Sequence, residues 1–433
     1  MKISTVTVVG ANGTMGTNVS AIFASFGNAK VYMISRDINK SVIAAQKACK
    51  SVKSDSIISN LVPADYSKLP DCVKESDLIF ESIAEDLTLK VSVHTMIGQY
   101  LRTGAVACTG SSGLSIDRLA ECYPSKIRNQ FFGVHMFNPP YQLTLCELTM
   151  SKYGDRKLYN ELKEYLSVTL NRTVAESKDL PAFLGNRIGF YFINEALIYA
   201  ERFRDNGGID YIDSILGAFT GRTMPPLVTA DFVGLDIHKS IVNNIYENTL
   251  DYVHDRFKLP KYVSELIDGN NLGRKSGQGL YKIINNNGIK RFMVWDINVG
   301  QYRDEIKYSF PFAINMKENF KNGNYKDAFL ELINNHSLEA DICLRFLLRY
   351  IIYSLYTAEH VGYKLQVADD VMATGFKWCP PFAMIDALSK VCNLQKLMYS
   401  RLKPEILEAV DISHILSQRI KSNYDYRTFF MAK

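Results

Sequence analysis

Apolar and polar positions change rhythm several times along the chain. In the first 150 residues, short runs rich in β-branched and aromatic residues ("VTVVG", "KVYMIS", "DLIFESI", "AVACTG") predict strands. Between them, "MGTNVSAIFASFG" and "SVIAAQKACK" space their apolar residues one helical turn apart. Strands alternating with helices predict a parallel, doubly wound sheet. Helix periodicity dominates later, broken by "NNNGIKRFMVWDINVGQYR", which reads as a hairpin, and "KNGNYKD", which reads as a polar connector. Beyond that break the sequence repeats itself. "NRIGFYFINEALIYAE" from Asn186 is echoed by "LRFLLRYIIYSLYTAE" from Leu344, and "FTGRTMPPLVTADFVGLD" by "ATGFKWCPPFAMIDALSK". The expected division is a Rossmann-type domain over 1–180 and a helical domain over 181–283. A hairpin and linker over 284–330 and a second helical domain over 331–433 complete it.

Composition adds little to this picture except exclusions. The 433 residues suffice for two or three domains, and 47% hydrophobic with 22% charged residues is ordinary for a soluble globular chain. A net charge of +5 without a Lys/Arg block suits an anionic ligand but gives no case for nucleic acid. Eight cysteines without a C-x-x-C pair indicate neither a disulfide framework nor a metal site, so free thiols in a reducing cytoplasm are expected. Arg187, Arg345 and Arg349 interrupt the most apolar stretches, and no membrane span or leader is read.

The first candidate chemistry lies in the turn after the first strand. "GANGTMG" sets Gly10, Gly13 and Gly16 between a predicted strand and a predicted helix. Glycines there permit a tight turn and a close approach of backbone to a pyrophosphate, with the helix N-terminus behind it. Gly10, Asn12, Gly13, Thr14, Met15 and Gly16 are therefore the expected dinucleotide cradle. The second strand ends in "YMISRD", which puts Ser35 and Arg36 where an acidic residue would bind a ribose 2′-hydroxyl. A guanidinium without that carboxylate favours a 2′-phosphate, hence NADP(H); NAD(H) is accommodated if Asp37 serves in a register two residues later.

"FFGVHMFNPP" places His135, one of seven histidines, in an otherwise apolar run. With "CEL" twelve residues further on, this segment resembles the signature of the 3-hydroxyacyl-CoA dehydrogenases. "ESIAEDLTLK", "GSSGLS", "DLPAFLGNRIGFYFINEA", "DFVGLD" and "GRKSGQGLYK" match the same family in order, over about the first 280 residues. The resemblance implies an enzyme moving hydride between a nicotinamide and C3 of an acyl-CoA. His135 would be its acid/base, Glu147 the carboxylate on the far ring nitrogen, and Asn186 and Ser112 the groups holding substrate oxygens. Glu85 and Lys90 would line the nicotinamide ribose. The chemistry agrees: oxidising a secondary alcohol releases a proton, and imidazole carries one either way near neutral pH. The resemblance also implies that the second helical copy, with Leu344 in place of Asn186, is degenerate. Occupying a partner subunit's place, it would make a monomer with an internal pseudo-dimer. Pro225 and Pro380 stand where the family has a glycine.

Two other readings compete. A short-chain dehydrogenase would use a tyrosine and lysine four apart, and Tyr159 and Lys163 offer that spacing. A dinucleotide-binding protein without turnover would need the fold but not an acid/base pair. A relative acting on free hydroxy acids stays within the same family.

Overall fold

The alternation at the N-terminus becomes an eight-stranded sheet in a computed structural model that describes residues 1–286 and 289–430. The strands are β1 (Thr5–Val9), β2 (Lys30–Ser35), β3 (Leu61–Asp65), β4 (Leu78–Glu81), β5 (Val106–Thr109), β6 (Phe131–Met136), β7 (Leu145–Met150) and β8 (Thr173–Ser177). Their order is β3-β2-β1-β4-β5-β6-β7-β8. β1 to β6 run parallel, whereas β7 is antiparallel to β6 and carries β8 parallel to itself. Val8 and Val9, adjacent on β1, enter different apolar clusters, Val8 with Phe23 and Phe80, Val9 with Ile34 and Ile79. Both faces are thus covered, which is why these strands read as continuous apolar runs rather than alternating ones. Each large side chain so buried contributes about 1.5–3 kcal/mol.

The expected strands β1, β2, β4 and β5 form where the pattern put them. β3 and β8 carry weaker signals, since β3 contains Pro63 and β8 reads "TVAES". They are the two edge strands, where a missing N–H and polar side chains are tolerated.

The chain divides into two units, Met1–Phe183 with Val361–Tyr363 and Leu184–His360 with Lys364–Lys433. The first is the Rossmann-type sheet unit; the second is mainly helical. In the helical unit the repeat is visible as two long helices, Gly185–Arg202 and Leu338–Val361. They meet reciprocally. Tyr191 packs on Tyr353 with ring centroids 4.4 Å apart, and Glu195 pairs with Arg349 at 2.6 Å. Aligning Asn186 with Leu344 makes Arg349 the counterpart of Tyr191 and Tyr353 the counterpart of Glu195. Phe192 meets its own counterpart, Tyr350, at 6.1 Å.

Each copy also repeats a capping device. Asp213 accepts hydrogen bonds from the backbone N–H groups of Leu227 and Val228 (2.8 and 3.0 Å) at the start of the helix Pro226–Val233. Asp369 accepts one from Phe382 (2.8 Å) at the start of Pro381–Ser389. The prolines before these helices, Pro225 and Pro380, have φ of −58° and −65°. That is the angle a proline ring imposes, so the backbone here does not require glycine.

The expected hairpin is one part of a three-stranded antiparallel sheet, β9 (Tyr281–Asn286), β10 (Ile289–Asp296) and β11 (Gln301–Asp304), with β10 central. The Asn/Gly turn expected there falls on Asn287 and Gly288, which lie outside the described residues. The stretch read as a connector is instead two helices, Pro311–Lys321 and Tyr325–Asn334, which bury Phe312, Met316 and Phe320 on one and Phe329 and Leu332 on the other. The polar "KNGN" is only the turn joining them, with Gly323 at φ +77°. No helix among the described residues is long and apolar enough to cross a membrane, and all eight cysteines are free.

Candidate active site

The strand order reverses between β1 and β4, and the chain leaves both strands on the same side, opening a crevice at their C-terminal ends. Gly10 turns out of β1 with φ +83°, and a Cβ on it would stand 2.4 Å from the Ser82 carbonyl oxygen beyond β4. A Cβ on Gly16 would stand 2.3 Å from the Gly10 carbonyl oxygen. These two glycines let the turn, β4 and the helix α1 (Thr14–Ser25) pack closely. Gly13 differs. The nearest atom to a Cβ there is 3.4 Å away, and Gly13 is the N-cap of α1 with no side chain capping it. Asn12, Gly13 and Thr14 are exposed and Met15 is half-buried, so the first-turn N–H groups of α1 are offered to a ligand. This cradle fits a dinucleotide pyrophosphate.

At the end of β2, Ser35 is 1% exposed, and its hydroxyl is used internally, donating to the Asp37 carbonyl oxygen at 2.7 Å and lying 2.8 Å from Ser41 Oγ. Asp37 caps the helix α2 (Ile38–Val52), accepting from the Asn39 N–H at 2.9 Å. Arg36 between them is exposed.

His135 and Glu147 are register partners across the antiparallel β6–β7 pair, so their side chains leave the sheet on one face. His135 Nδ1 lies 2.6 Å from Glu147 Oε2. Glu147 is fully buried and His135 is 9% exposed, with the Phe137 and Phe183 rings 4.7 and 6.1 Å from the imidazole. Among the described residues nothing bonds Nε2 of His135. A carboxylate holding Nδ1–H leaves Nε2 as the atom available to a substrate oxygen. Asn138 just beyond accepts a 3.0 Å hydrogen bond from Asn18 on α1, tying this loop to the dinucleotide cradle.

Glu85 organises the serine loop. Its Oε1 accepts from Ser111 Oγ (2.5 Å) and from the N–H groups of Ser112 (2.9 Å) and Gly113 (3.0 Å). Ser115 donates to Asp179 at 2.8 Å. Of the three serines only Ser112 keeps its hydroxyl free of a partner among the described residues.

Lys90 is buried rather than open to the crevice. It lies 2.7 Å from Glu81 Oε1 and 3.4 Å from Glu85. Glu81 also accepts from Thr109 Oγ1 (2.6 Å), the Ile83 N–H (2.6 Å) and His94 Nε2 (3.1 Å), while Nδ1 of His94 meets the Tyr123 hydroxyl at 2.8 Å. Burial alone would raise the Glu81 carboxyl; the His94 hydrogen bond and the Lys90 charge outweigh it and hold it at about 2. Sequence motifs give Glu81, His94, Thr109 and Tyr123 no role. The one local signal is that Lys90 and His94 stand four apart on the helix Leu87–Tyr100 and so share a face.

Asn186 belongs to the helical unit, where it is the second residue of the helix Gly185–Arg202 and buried. The competing pair does not form a site. Tyr159 is buried with its hydroxyl donating to the Leu148 carbonyl oxygen (3.2 Å), and Lys163 pairs with Glu176.

The chain is also similar to known proteins. Residues 5–180 match the profile of the 3-hydroxyacyl-CoA dehydrogenase NAD binding domain, and residues 183–283 that of the 3-hydroxyacyl-CoA dehydrogenase C-terminal domain. A probable 3-hydroxyacyl-CoA dehydrogenase of Bacillus subtilis is 26% identical over 84% of this chain and 45% of its own length. A putative fatty acid oxidation complex trifunctional enzyme of Rickettsia prowazekii is 23% identical over 98% of this chain and 59% of its own. The chain thus spans about half the length of these relatives. The crystal structure of 3-hydroxybutyryl-CoA dehydrogenase from Escherichia coli K12 shares the fold over 97% of this chain and 98% of that one, with a TM-score of 0.70 at 17% identity.

Proposed function

The chain belongs to the 3-hydroxyacyl-CoA dehydrogenase family, and from that premise we propose that it is an NADP(H)-preferring (S)-3-hydroxyacyl-CoA dehydrogenase working as a 3-ketoacyl-CoA reductase. The observation that carries the reading is the 2.6 Å contact of His135 Nδ1 with buried Glu147, which leaves Nε2 uncommitted. A bound nicotinamide supplies the redox half of the chemistry, giving hydride to or taking it from C3. His135 Nε2 moves the matching proton, donating it to the forming alkoxide in reduction and accepting it in oxidation. Glu147 keeps the proton-bearing tautomer fixed and stabilises the imidazolium. Ser112, with its hydroxyl uncommitted, holds a substrate oxygen. Asn186 is assigned by resemblance as the second such group.

The cofactor preference rests on Arg36, exposed at the end of β2 beside a serine, while Asp37 is engaged in capping α2. The reciprocal Tyr191–Tyr353 and Glu195–Arg349 contacts support a monomer whose second, degenerate helical copy stands in for a partner subunit. The division at 180, 283 and 330 belongs to the same proposal, as does a cytoplasmic setting, which free cysteines support.

The test is nicotinamide absorbance with acetoacetyl-CoA, offering NADPH and NADH separately. Turnover faster with NADPH is expected. Faster turnover with NADH removes the Arg36 assignment, and no turnover with either removes the CoA-ester reading.

A further inference from the structure

The helical unit contains a cavity of about 860 Å³ that the dehydrogenase chemistry does not use. Its basic lining is Arg222, Lys307, Lys317 and Lys377, against Asp213 and Glu305. Asp213 is already engaged by two backbone N–H groups and the Tyr281 hydroxyl. The three lysines are exposed, and none of them has an ion-pair partner among the described residues.

Arg222 is the unusual member. It is 4% exposed, and among the described residues its only side-chain hydrogen bonds run from Nη1 to the carbonyl oxygen and Oγ1 of Thr220. Its Nε is buried without a partner, and no carboxylate pairs with it among the described residues. The Phe192 and Trp378 rings, 3.7 and 4.7 Å from the guanidinium carbon, compensate part of its lost hydration. Burial lowers its pKa to about 10, so it stays charged at neutral pH. A desolvated cation with no counter-ion is costly, and an anion at its exposed edge would relieve it. Phe219, Tyr308, Phe320, Phe429 and Phe430 supply an aromatic part of the wall.

We propose that this cavity binds a nucleoside diphosphate group, its phosphates drawn to Arg222, Lys317 and Lys377 and its base lying against the aromatic wall. A volume in the small-molecule range, four cations and flat apolar surfaces match that chemistry and exceed what a single inorganic anion would need. The same group occurs in free ADP and in the nucleotide end of coenzyme A, and the experiment separates them.

Full-length protein saturated with NADPH, so that the dinucleotide crevice is filled, is titrated calorimetrically with ADP, with desulfo-coenzyme A and with pyrophosphate. The same titrations use Lys317→Ala/Lys377→Ala, which alters only exposed side chains, and Arg222→Met. ADP is expected to bind the parent protein, and the double variant to weaken it by roughly 10-fold or more for each charge-assisted hydrogen bond removed. At saturating acetoacetyl-CoA, kcat should be unchanged in the double variant. Tighter binding of desulfo-coenzyme A with the same dependence on the lysines assigns the group to the coenzyme; ADP equal or tighter assigns it to a free nucleotide. No ADP binding, binding indifferent to the lysines, or pyrophosphate binding as well as ADP overturns the proposal.

Discussion

His135 with Glu147 and His94 with Glu81 are both histidines against buried glutamates in the sheet unit, and the use made of their nitrogens separates them. His94 is fully buried, with one nitrogen on a carboxylate that already binds Lys90 and Thr109 and the other on the Tyr123 hydroxyl. His135 keeps 9% of its surface and among the described residues has only Nδ1 hydrogen-bonded. A histidine with both nitrogens consumed holds structure together. One anchored at a single nitrogen is oriented and still able to exchange a proton, which is what acid/base work requires.

Substitutions can break the contrast from either side. Glu147→Gln should lower kcat roughly 10²–10⁴-fold with the fold intact, because the amide cannot stabilise an imidazolium; steady-state kinetics beside a circular dichroism melt checks this. Ser112→Ala should reduce kcat/KM by roughly 10²-fold if its hydroxyl meets a developing oxyanion, whereas Ser111→Ala should act through Glu85 and chiefly loosen the loop. Arg36→Leu should raise the KM for NADPH roughly 10-fold and leave that for NADH in place. His94→Leu should cost about 1–3 kcal/mol of stability by leaving the Tyr123 and Glu81 groups short of a partner. Urea denaturation reads it, and kcat should stay near that of the parent.

Glu81 of the sheet unit and three aspartates of the helical unit are buried differently, which gives the smallest and most diffuse effect. Glu81 sits among cations and is held at about 2, so its contribution is present above pH 4.5 and disappears as pH falls toward 2. Asp213, Asp231 and Asp369 accept from backbone N–H groups and pair with no cation among the described residues, and burial raises them to about 7, 6 and 6. Their contribution is complete below pH 3.8 and is lost as pH rises through 6 to 7. Amide hydrogen exchange resolved by unit should show the helical unit better protected at pH 5 than at pH 8. Asp213→Asn should flatten that difference.

Much of the fold was legible because it rests on local signals. The strand–Gly-rich turn–helix run over Thr5–Ser25 announces itself within 21 residues, and the repeat around Asn186 and Leu344 shows in apolar spacing alone. The edge strands were hidden by Pro63 and by the polar "TVAES", and the helices Pro311–Lys321 and Tyr325–Asn334 by the Gly323 turn between them. At the site, sequence order brought His135 and Glu147 forward, but only the β6–β7 register puts them face to face. The joining of Glu81, His94 and Tyr123 is hidden in the sequence because the pairs lie 13 and 29 positions apart and His94 reads as an ordinary helix residue. Arg222 is hidden for the same reason, since Phe192 and Trp378 are brought to it only by packing.

The most direct measurement compares His135→Gln with His94→Gln in acetoacetyl-CoA reduction, with NADPH binding followed in parallel by fluorescence. His135→Gln is expected to bind the cofactor as the parent does and to lose roughly 10²–10⁴-fold in kcat, while His94→Gln loses stability and retains turnover. Retained turnover in His135→Gln, or a comparable loss of kcat in a folded His94→Gln, would contradict this expectation.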